Sequence, residues 1–198
     1  MTQTRLALCG ASGTGKTTLA RWAEDELGLP FNPIGSRSVA KMMGFDNPYD
    51  VDAAGQRKPF QRRLVVEKRK WEDEHESFVV DRTTLDNLAY TVVHDIYAVD
   101  RELLQSIVEG MKRYTHIVYC PFSVFCNPAG DESRVGGGKY GVAGDSTYHE
   151  LFDLVLKGLL IKYRPASVPT GPQFLTLDIE GLDERKARLR EFLGSGTR

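Results

Sequence analysis

The stretch Gly10-Ala11-Ser12-Gly13-Thr14-Gly15-Lys16-Thr17-Thr18 decides the fold of this chain, because it fits the pattern G-x-x-x-x-G-K-[S/T]. It follows a short apolar segment, Leu6 to Cys9, and precedes a helical pattern that ends before Gly28. A strand, a glycine-rich turn and a helix in this order form a P-loop, whose backbone N–H groups surround phosphate oxygens. The stretch therefore predicts a nucleoside triphosphate site; the alternative is a chance glycine-rich turn between a strand and a helix.

The side chains of this loop have distinct expected roles. Lys16 reaches the β- and γ-phosphates and is a catalytic candidate, while the Thr17 hydroxyl binds magnesium. The other nucleotide-binding candidates line the turn and the start of the helix: Ser12, Gly13, Thr14, Gly15 and Thr18. ATP and Mg²⁺ are therefore the predicted cofactors.

Composition limits the classes of protein to consider. The 198 residues, 41% hydrophobic and 27% charged, predict one soluble globular domain over residues 1–198. A net charge of -1 gives no general attraction to nucleic acid or membrane. Cys9, Cys120 and Cys126 form neither a CxxC pair nor a zinc pattern, which indicates reduced thiols. Without a membrane-length apolar run or a signal sequence, we expect a cytoplasmic protein with no membrane partner; its oligomeric state stays open.

The arrangement of apolar segments predicts an α/β fold. Helical patterns separate five candidate strands, which favours a parallel sheet covered on both faces by helices. The expected architecture is thus a three-layer P-loop fold with a five-stranded parallel sheet. Pro30 and Pro33 flank or interrupt the second strand, which favours an edge position or an irregular segment there. The five segments are Leu6 to Cys9, Leu29 to Ile34, Phe78 to Asp81, Thr115 to Cys120, and Phe174 to Ile179.

The third predicted strand ends in Phe78-Val79-Val80-Asp81-Arg82, a Walker B pattern. Asp81 is expected to hold magnesium, directly or through water, or to accept a proton from an attacking hydroxyl. Hydrolysing ATPases usually place a glutamate after this aspartate, whereas this chain has Arg82, and no Asn-Lys-x-Asp guanine motif occurs. The pattern therefore favours phosphoryl transfer over hydrolysis.

A predicted helix from Gln56 to Glu76 carries a basic stripe that includes Lys58, Arg62 and Arg69. One interpretation is a solvated helix face balanced by nearby acids. The other is a surface that receives a polyanionic acceptor, so Arg62 and Arg69 are substrate-binding candidates.

The segment from Asn127 to Thr147 contains six glycines around Asp131-Glu132-Ser133-Arg134 and Lys139. A loop of this length in a compact domain is typical of an active-site lid, with a passive mobile loop as the alternative. As a lid, it would bring Arg134 or Lys139 to the transferring phosphoryl group. Arg134 is therefore a catalytic candidate.

Together, these motifs resemble the P-loop kinases related to the ribosylnicotinamide kinase domain, a group that includes phage nucleotide and hydroxymethyluracil-DNA kinases. The resemblance spans nearly the whole chain. It implies that Asp81 lies on the magnesium and acceptor side, that Arg134 is a lid arginine, and that the segment after Asp178 borders adenine. It rests on the P-loop, Asp81-Arg82, Leu85-Asp86-x-Leu88-Ala89-Tyr90, Asp131-x-x-Arg134 and Glu184-Arg185.

One position departs from the family pattern. The family often has a glutamate just before an arginine after the second strand; Arg37 matches the arginine, but Gly35 and Ser36 precede it. Asp81 is therefore the leading candidate for the base, followed by Asp46, Asp50 and Asp86. Asp86 has a second interpretation, as a first-turn acid favoured by the helix dipole. Arg37, Arg82 and Asp86 join the substrate-side candidates.

The predicted function is transfer of the γ-phosphate of ATP to a hydroxyl group. A nucleoside, a nucleotide or a hydroxymethylated pyrimidine in DNA is the expected acceptor. Two alternatives remain, an ATP-hydrolysing switch or assembly factor and a nucleic-acid-binding module with a vestigial nucleotide site.

Overall fold

Four parallel strands form the sheet in the computed structural model, which describes residues 3–122, 147–163 and 171–194. The strands are β1 (Arg5–Cys9), β2 (Phe78–Asp81), β3 (His116–Tyr119) and β4 (Gln173–Thr176), in the spatial order β2-β1-β3-β4. Leu8 pairs with Asp81 and Cys9 pairs with Tyr119, so the three strands β1, β2 and β3 end at the same edge. In parallel sheets this carboxyl edge is where ligands bind.

The predicted number of strands was wrong. The second predicted strand, Leu29 to Ile34, contributes a single bridge between Phe31 and Val79. Only two ladder hydrogen bonds support it: Asn32 N–H donates to the Val79 carbonyl, and Val79 N–H donates to the Pro30 carbonyl, both at 2.9 Å. Pro30 and Pro33 have no N–H to donate, which limits the ladder on this edge.

Eight α-helices of the described residues surround the sheet, with a short 3₁₀-helix at Ile96–Ala98. One of the α-helices starts at Pro48, inside the stretch Gly44 to Asp50 that is rich in turn-forming residues. Asn47 caps that helix by accepting hydrogen bonds from the N–H groups of Tyr49 and Asp50. The helices are α1 (Lys16–Leu27), α2 (Ser36–Met42), α3 (Pro48–Ala53), α4 (Arg57–Asp73), α5 (Thr84–Asp95), α6 (Arg101–Met111), α7 (Thr147–Tyr163) and α8 (Leu182–Gly194).

Alternation along the strands divides the core into two layers. Ala7 and Cys9 face one side of the sheet and pack with apolar residues of α5, α6 and α7, whereas Leu6 and Leu8 face the other side with α1 and α8. Because successive strand residues point to opposite faces, a fully apolar strand such as β1 requires helices on both sides. The predicted three-layer α/β architecture is confirmed.

A third apolar cluster joins α2, α3 and α4 through Val39, Val51, Phe60 and Leu64. The predicted lid, residues 127–147, lies outside the described residues except for Thr147. Within the described ranges, no helix has the length and apolar character needed to cross a membrane.

Candidate active site

Two glycines fix the path of the P-loop. Gly10 has a φ of 141°, and a Cβ atom there would lie 2.2 Å from the carbonyl oxygen of Cys120. Gly15, directly before α1, has a φ of 79°, in the left-handed region that other residues avoid. The turn therefore packs closely against the residue that follows β3, and it directs the N-terminus of α1 toward the carboxyl edge of the sheet.

Lys16 is buried at the first position of α1, with 3% of its surface exposed. Its ammonium group donates hydrogen bonds to the carbonyl oxygen of Ala11 and to the Thr14 hydroxyl, the latter at 2.9 Å. Burial lowers the pKa of Lys16, and the positive charge of Arg82 lowers it further, while Asp81 opposes the shift. The structure thus holds this amino group inside the curve of the P-loop.

Thr17 and Asp81, the two predicted magnesium ligands, are in contact. The Thr17 hydroxyl donates a hydrogen bond to Asp81 Oδ2. Asp81 Oδ1 is buried and has no hydrogen-bond partner in the described part of the chain. Burial alone would raise the pKa of Asp81, but Lys16, Arg82 and the Thr17 hydrogen bond lower it overall, so the group is ionised at neutral pH.

This donor pair fits magnesium. A carboxylate oxygen without a partner beside a hydroxyl offers hard oxygen ligands, which Mg²⁺ prefers to nitrogen and sulfur. Over the described ranges, no group of three or more His, Cys, Asp or Glu residues could enclose a metal. Two protein oxygens suffice for Mg²⁺, which retains water molecules and binds substrate phosphates. Thr17 and Asp81 would therefore hold the ion against the triphosphate.

Arg82 braces the P-loop from the end of β2. Its φ of 87° is left-handed, and its N–H donates to the Leu8 carbonyl at 2.8 Å. The guanidinium donates to the Gly10 carbonyl at 3.3 Å and to the Ser12 hydroxyl at 3.2 Å. It also lies 4.7 Å from the centre of the Tyr90 ring. The residue that replaces the glutamate of hydrolysing ATPases is thus bonded to the nucleotide loop.

Lys68 is a site residue that the sequence did not reveal. Its side chain is 3% exposed, and its ammonium group donates to the Arg82 carbonyl oxygen at 2.5 Å. The carbonyl lies in the left-handed stretch of backbone, so Lys68 links α4 to the end of β2. In the sequence Lys68 belongs to the basic run Lys68-Arg69-Lys70, and its four-residue spacing from the buried Leu64 was the available signal.

Asp86 is completely buried and ties α5 to the P-loop. Its Oδ1 accepts a hydrogen bond from Gly10 N–H at 3.0 Å. Its Oδ2 accepts hydrogen bonds from the Thr83 N–H at 2.8 Å and from the Thr83 hydroxyl at 2.7 Å. Both oxygens are therefore engaged within the chain, which agrees with the first-turn interpretation and gives Asp86 a positioning role.

Several other predicted residues lie at the surface. Arg37 is exposed in the first turn of α2, and Asp46 and Asp50 are exposed around the start of α3. Asp50 Oδ2 accepts a hydrogen bond from the Asn47 side chain at 2.7 Å. Arg134 lies outside the described residues, so its catalytic role stays a prediction.

The basic stripe of α4 is divided by its ion pairs. Arg62 pairs with Asp100 and Glu102, each at 2.7 Å, and Lys58 pairs with Asp100 at 2.8 Å. Arg69 is exposed beside Asp73 and Glu74. Acidic groups therefore reduce the positive charge that this face offers to a polyanion.

Arg185 reaches the P-loop from α8. Its Nη1 donates to the Thr14 carbonyl at 2.7 Å, and a Cβ atom on Gly15 would lie 2.8 Å from the same nitrogen. The sequence indicated Arg185 only through the family resemblance. The contact places α8 against the nucleotide loop on the side opposite to α4 and α5.

In this chain a glycine-rich turn joins a strand to a helix, and a threonine of that helix contacts an aspartate at the end of the neighbouring strand. This arrangement defines a P-loop nucleotide-binding fold. A family sequence profile described as an AAA domain matches residues 5–159. The chain therefore belongs to this AAA-domain family.

Solved structures show the same fold. A deoxyadenosine kinase from M. mycoides, with products bound, superposes with a TM-score of 0.64 at 16% identity over 97% of this chain and 100% of that one. The NadR protein in complex with NR gives 0.64 at 15% identity, over 99% of this chain and 52% of that one. The thymidylate kinase from Candida albicans gives 0.57 at 15% identity, covering 98% and 92%.

At these identities the likeness establishes the fold, and it confirms at that level the predicted resemblance to P-loop kinases. Among curated proteins, none matches the sequence significantly. The activity and the acceptor must therefore be argued from the site itself.

Proposed function

We propose that this protein is a kinase that transfers the γ-phosphate of ATP to a hydroxyl of a nucleoside or nucleotide. The observation that carries the proposal is the contact between Thr17 and Asp81 beside the buried Lys16. This arrangement supports a cation site and an ammonium group at the position where a triphosphate would lie. Kinases of nucleosides and nucleotides among the structures with this fold support the same class of reaction.

The proposed reaction forms a bond between the acceptor oxygen and the γ-phosphorus, and breaks the bond from that phosphorus to the β–γ bridging oxygen. ADP leaves, and the hydroxyl proton passes to Asp81 or to solvent. Asp81 is ionised, so it can orient the hydroxyl or bind the cation, but its lowered pKa makes it a weak base. Lys16 would stabilise the charge on the transferring phosphoryl group, and magnesium, when bound, would neutralise phosphate charge.

ATP hydrolysis is the competing activity, and Arg82 argues against it. A hydrolysing site needs a group that positions or activates water next to the γ-phosphate. The guanidinium of Arg82 instead donates hydrogen bonds to the P-loop at Gly10 and Ser12. At the position that usually carries the water-activating carboxylate, this chain thus has an arginine that stabilises the nucleotide loop.

The ion pairs of α4 favour a small acceptor over DNA. A hydroxymethylated pyrimidine in DNA was suggested by the basic stripe and by the phage members of the resembling group. Arg62 is already paired with Asp100 and Glu102, and the net charge of the chain is -1. A free nucleoside or nucleotide needs no extended basic surface, so it is the acceptor we propose.

The test uses ATP labelled at the γ-phosphate, Mg²⁺, and three sets of acceptors. These are free nucleosides, nucleoside monophosphates, and DNA that contains hydroxymethylated pyrimidines. We expect label in one of the first two sets, lost in Lys16→Met and retained in Arg21→Met, which alters an exposed basic residue of the same helix. Label in DNA alone would favour the DNA acceptor, and acceptor-independent release of phosphate would favour the ATPase.

A further inference from the structure

Helix α4 has a polar face that is turned inward. Arg57, Gln61 and Lys68 are exposed by only 7%, 2% and 3%. At about 100° per residue, Gln61 lies about 40° from Arg57 and about 20° from Lys68 around the helix axis. The three side chains therefore form one buried polar strip, next to the apolar residues Phe60 and Leu64.

This strip runs alongside α5 in the opposite direction. At one end, Lys68 contacts the Arg82 carbonyl, two residues before α5 begins. At the other end, Arg57 pairs with Asp52, and Asp52 Oδ2 lies 3.5 Å from Nδ1 of His94 near the end of α5. Gln61 lies between these two contacts and is therefore level with the middle turns of α5.

Apart from Arg62 Nε, whose side chain pairs with Asp100 and Glu102, three polar atoms of these two helices have no hydrogen-bond partner within the described ranges. They are Gln61 Oε1, Arg57 Nε and Asn87 Nδ2, and Asn87 on α5 is 3% exposed. A buried polar atom without a partner costs about 1–3 kcal/mol, so native proteins contain few of them. One acceptor and two donors on facing helices indicate a ligand with the complementary groups.

The surroundings of the strip suit a flat, uncharged ligand. Tyr90 stacks against the Arg82 guanidinium at 4.7 Å and lies 4.3 Å from the Phe152 ring centre. His94 Nε2 lies 2.6 Å from the Tyr148 hydroxyl. Burial and the charge of Arg57 lower the pKa of His94 to about 4, so the ring is neutral near pH 7. The neighbourhood offers aromatic rings and hydrogen-bonding groups.

The strip also connects with the phosphate side of the site. Arg82, beside Tyr90, bonds to the Ser12 hydroxyl of the P-loop. The cluster reaches solvent at Asp52 and Arg82, whose side chains are 27% and 24% exposed. A ligand entering there would have one end near Asp81 and the P-loop and the other end between α4 and α5.

We propose that Arg57 and Gln61 of this strip, together with Asn87 of the facing helix α5, bind the base of the acceptor nucleoside. Gln61 Oε1 would accept a hydrogen bond from an N–H of the heterocycle, and Arg57 Nε or Asn87 Nδ2 would donate to a neighbouring ring nitrogen or carbonyl. Adjacent donors and acceptors on a planar ring are what a nucleobase edge presents. The inference rests on the proposed function and specifies how its acceptor is recognised.

Calorimetry on the full chain tests the strip without requiring turnover. The probes are adenosine, cytidine, guanosine and thymidine, with methyl ribofuranoside as a sugar without a base and ATP as the reference ligand. For each nucleoside that the wild type binds, we expect Gln61→Leu to weaken binding by about tenfold or more. Affinity for the sugar and for ATP stays the same. Gln56→Leu, the same change at an exposed position before α4, leaves every affinity unchanged.

Arg57→Lys provides a second variant, because it keeps the charge opposite Asp52 and removes the Nε donor. It is expected to weaken nucleoside binding in the same direction. Thermal unfolding separates binding from folding: removal of the partnerless Gln61 acceptor should leave the melting temperature unchanged or raise it.

Wild-type nucleoside affinity in both strip variants would overturn the inference. A parallel loss of sugar and ATP affinity would also overturn it, because that pattern means general damage. A wild type that binds no nucleoside overturns it as well. In that case phosphate transfer to another hydroxyl in the labelling assay would leave the proposed kinase function standing.

Discussion

The nucleotide half of the site and the acceptor half satisfy their polar groups in different ways. Around the P-loop, Asp86 has both oxygens bonded within the chain, and Lys16 and Arg82 donate to P-loop oxygens. Along the inward face of α4, Gln61 and Arg57 keep buried atoms without partners in the described residues. Apart from Asp81 Oδ1, which would meet magnesium, the polar groups of the first half named above are bonded within the chain, whereas those of the second half would be completed by a ligand. Substitutions in the two halves should therefore have different kinds of effect.

The largest expected effect is in the nucleotide half. Asp81→Asn keeps the size of the side chain but removes the charge that would hold magnesium or orient the hydroxyl. We expect a loss in kcat of about 10²–10³-fold, as for the removal of one group that stabilises transition-state charge. Steady-state kinetics with varied Mg²⁺ measures it. Asp46→Asn, at an exposed position, serves as the control and should keep wild-type kcat.

The next largest effect is a pH dependence of folding stability that arises in the acceptor half. His94 has a pKa of about 4 in the folded protein, below its ordinary 6.5, because of burial and Arg57. The unfolded chain takes up this proton first, so stability falls as the pH drops from 6.5 toward 4, by at most about 3 kcal/mol. The charged and titratable groups around the ring are Asp52, Arg57, Tyr90 and Tyr148.

Denaturant unfolding at several pH values measures this slope. His94→Gln should flatten it, although His116, whose pKa burial also lowers, will leave part of the pH dependence in place. An identical slope in wild type and variant would show that His94 does not titrate as this environment requires.

Lys68→Met tests the connection between the two halves. The substitution leaves the Arg82 carbonyl without its donor inside a left-handed turn, at an expected cost of about 1–3 kcal/mol in stability. Because Arg82 braces the P-loop, we expect the affinity for ATP to fall as well. Lys68→Arg, which can still donate, should recover part of both. Unchanged ATP affinity in Lys68→Met would mean that the two halves are independent.

The smallest effect belongs to the outer face of α4. Arg62→Ala removes partly exposed ion pairs with Asp100 and Glu102, which contribute about 1 kcal/mol or less. Arg69→Ala removes an exposed charge and should change stability even less. Neither should alter transfer to a free nucleoside. A large loss of transfer in either variant, with normal folding, would restore the basic stripe as a substrate surface.

The same contrast explains what the sequence could predict. A phosphate-binding loop requires glycines and one lysine at fixed spacing, so local sequence patterns predicted the P-loop. Local patterns likewise marked Thr17 and Asp81, which the structure brings into contact. The continuous apolar runs of β1 and β2, together with the helical patterns between the strands, likewise predicted a parallel sheet with helices on both faces.

Contacts between distant segments were not predictable in this way. Lys68 looked like one member of a basic run, and only the packing of α4 turns it toward Arg82. The prediction of a fifth strand was wrong because a segment with two prolines has too few N–H groups to form a ladder of hydrogen bonds. No sequence motif marks Gln61, because the feature that distinguishes it is a buried oxygen without a hydrogen-bond partner in the described residues.

The kinase proposal is tested most sharply by transfer of labelled phosphate from ATP to nucleosides, compared between wild type and Asp81→Asn in the presence of Mg²⁺. We expect a labelled nucleoside or nucleotide in the wild type, and a rate lower by about 10²–10³-fold in the variant. Label released as free phosphate at the same rate with and without acceptor, or equal transfer by both proteins, would contradict it.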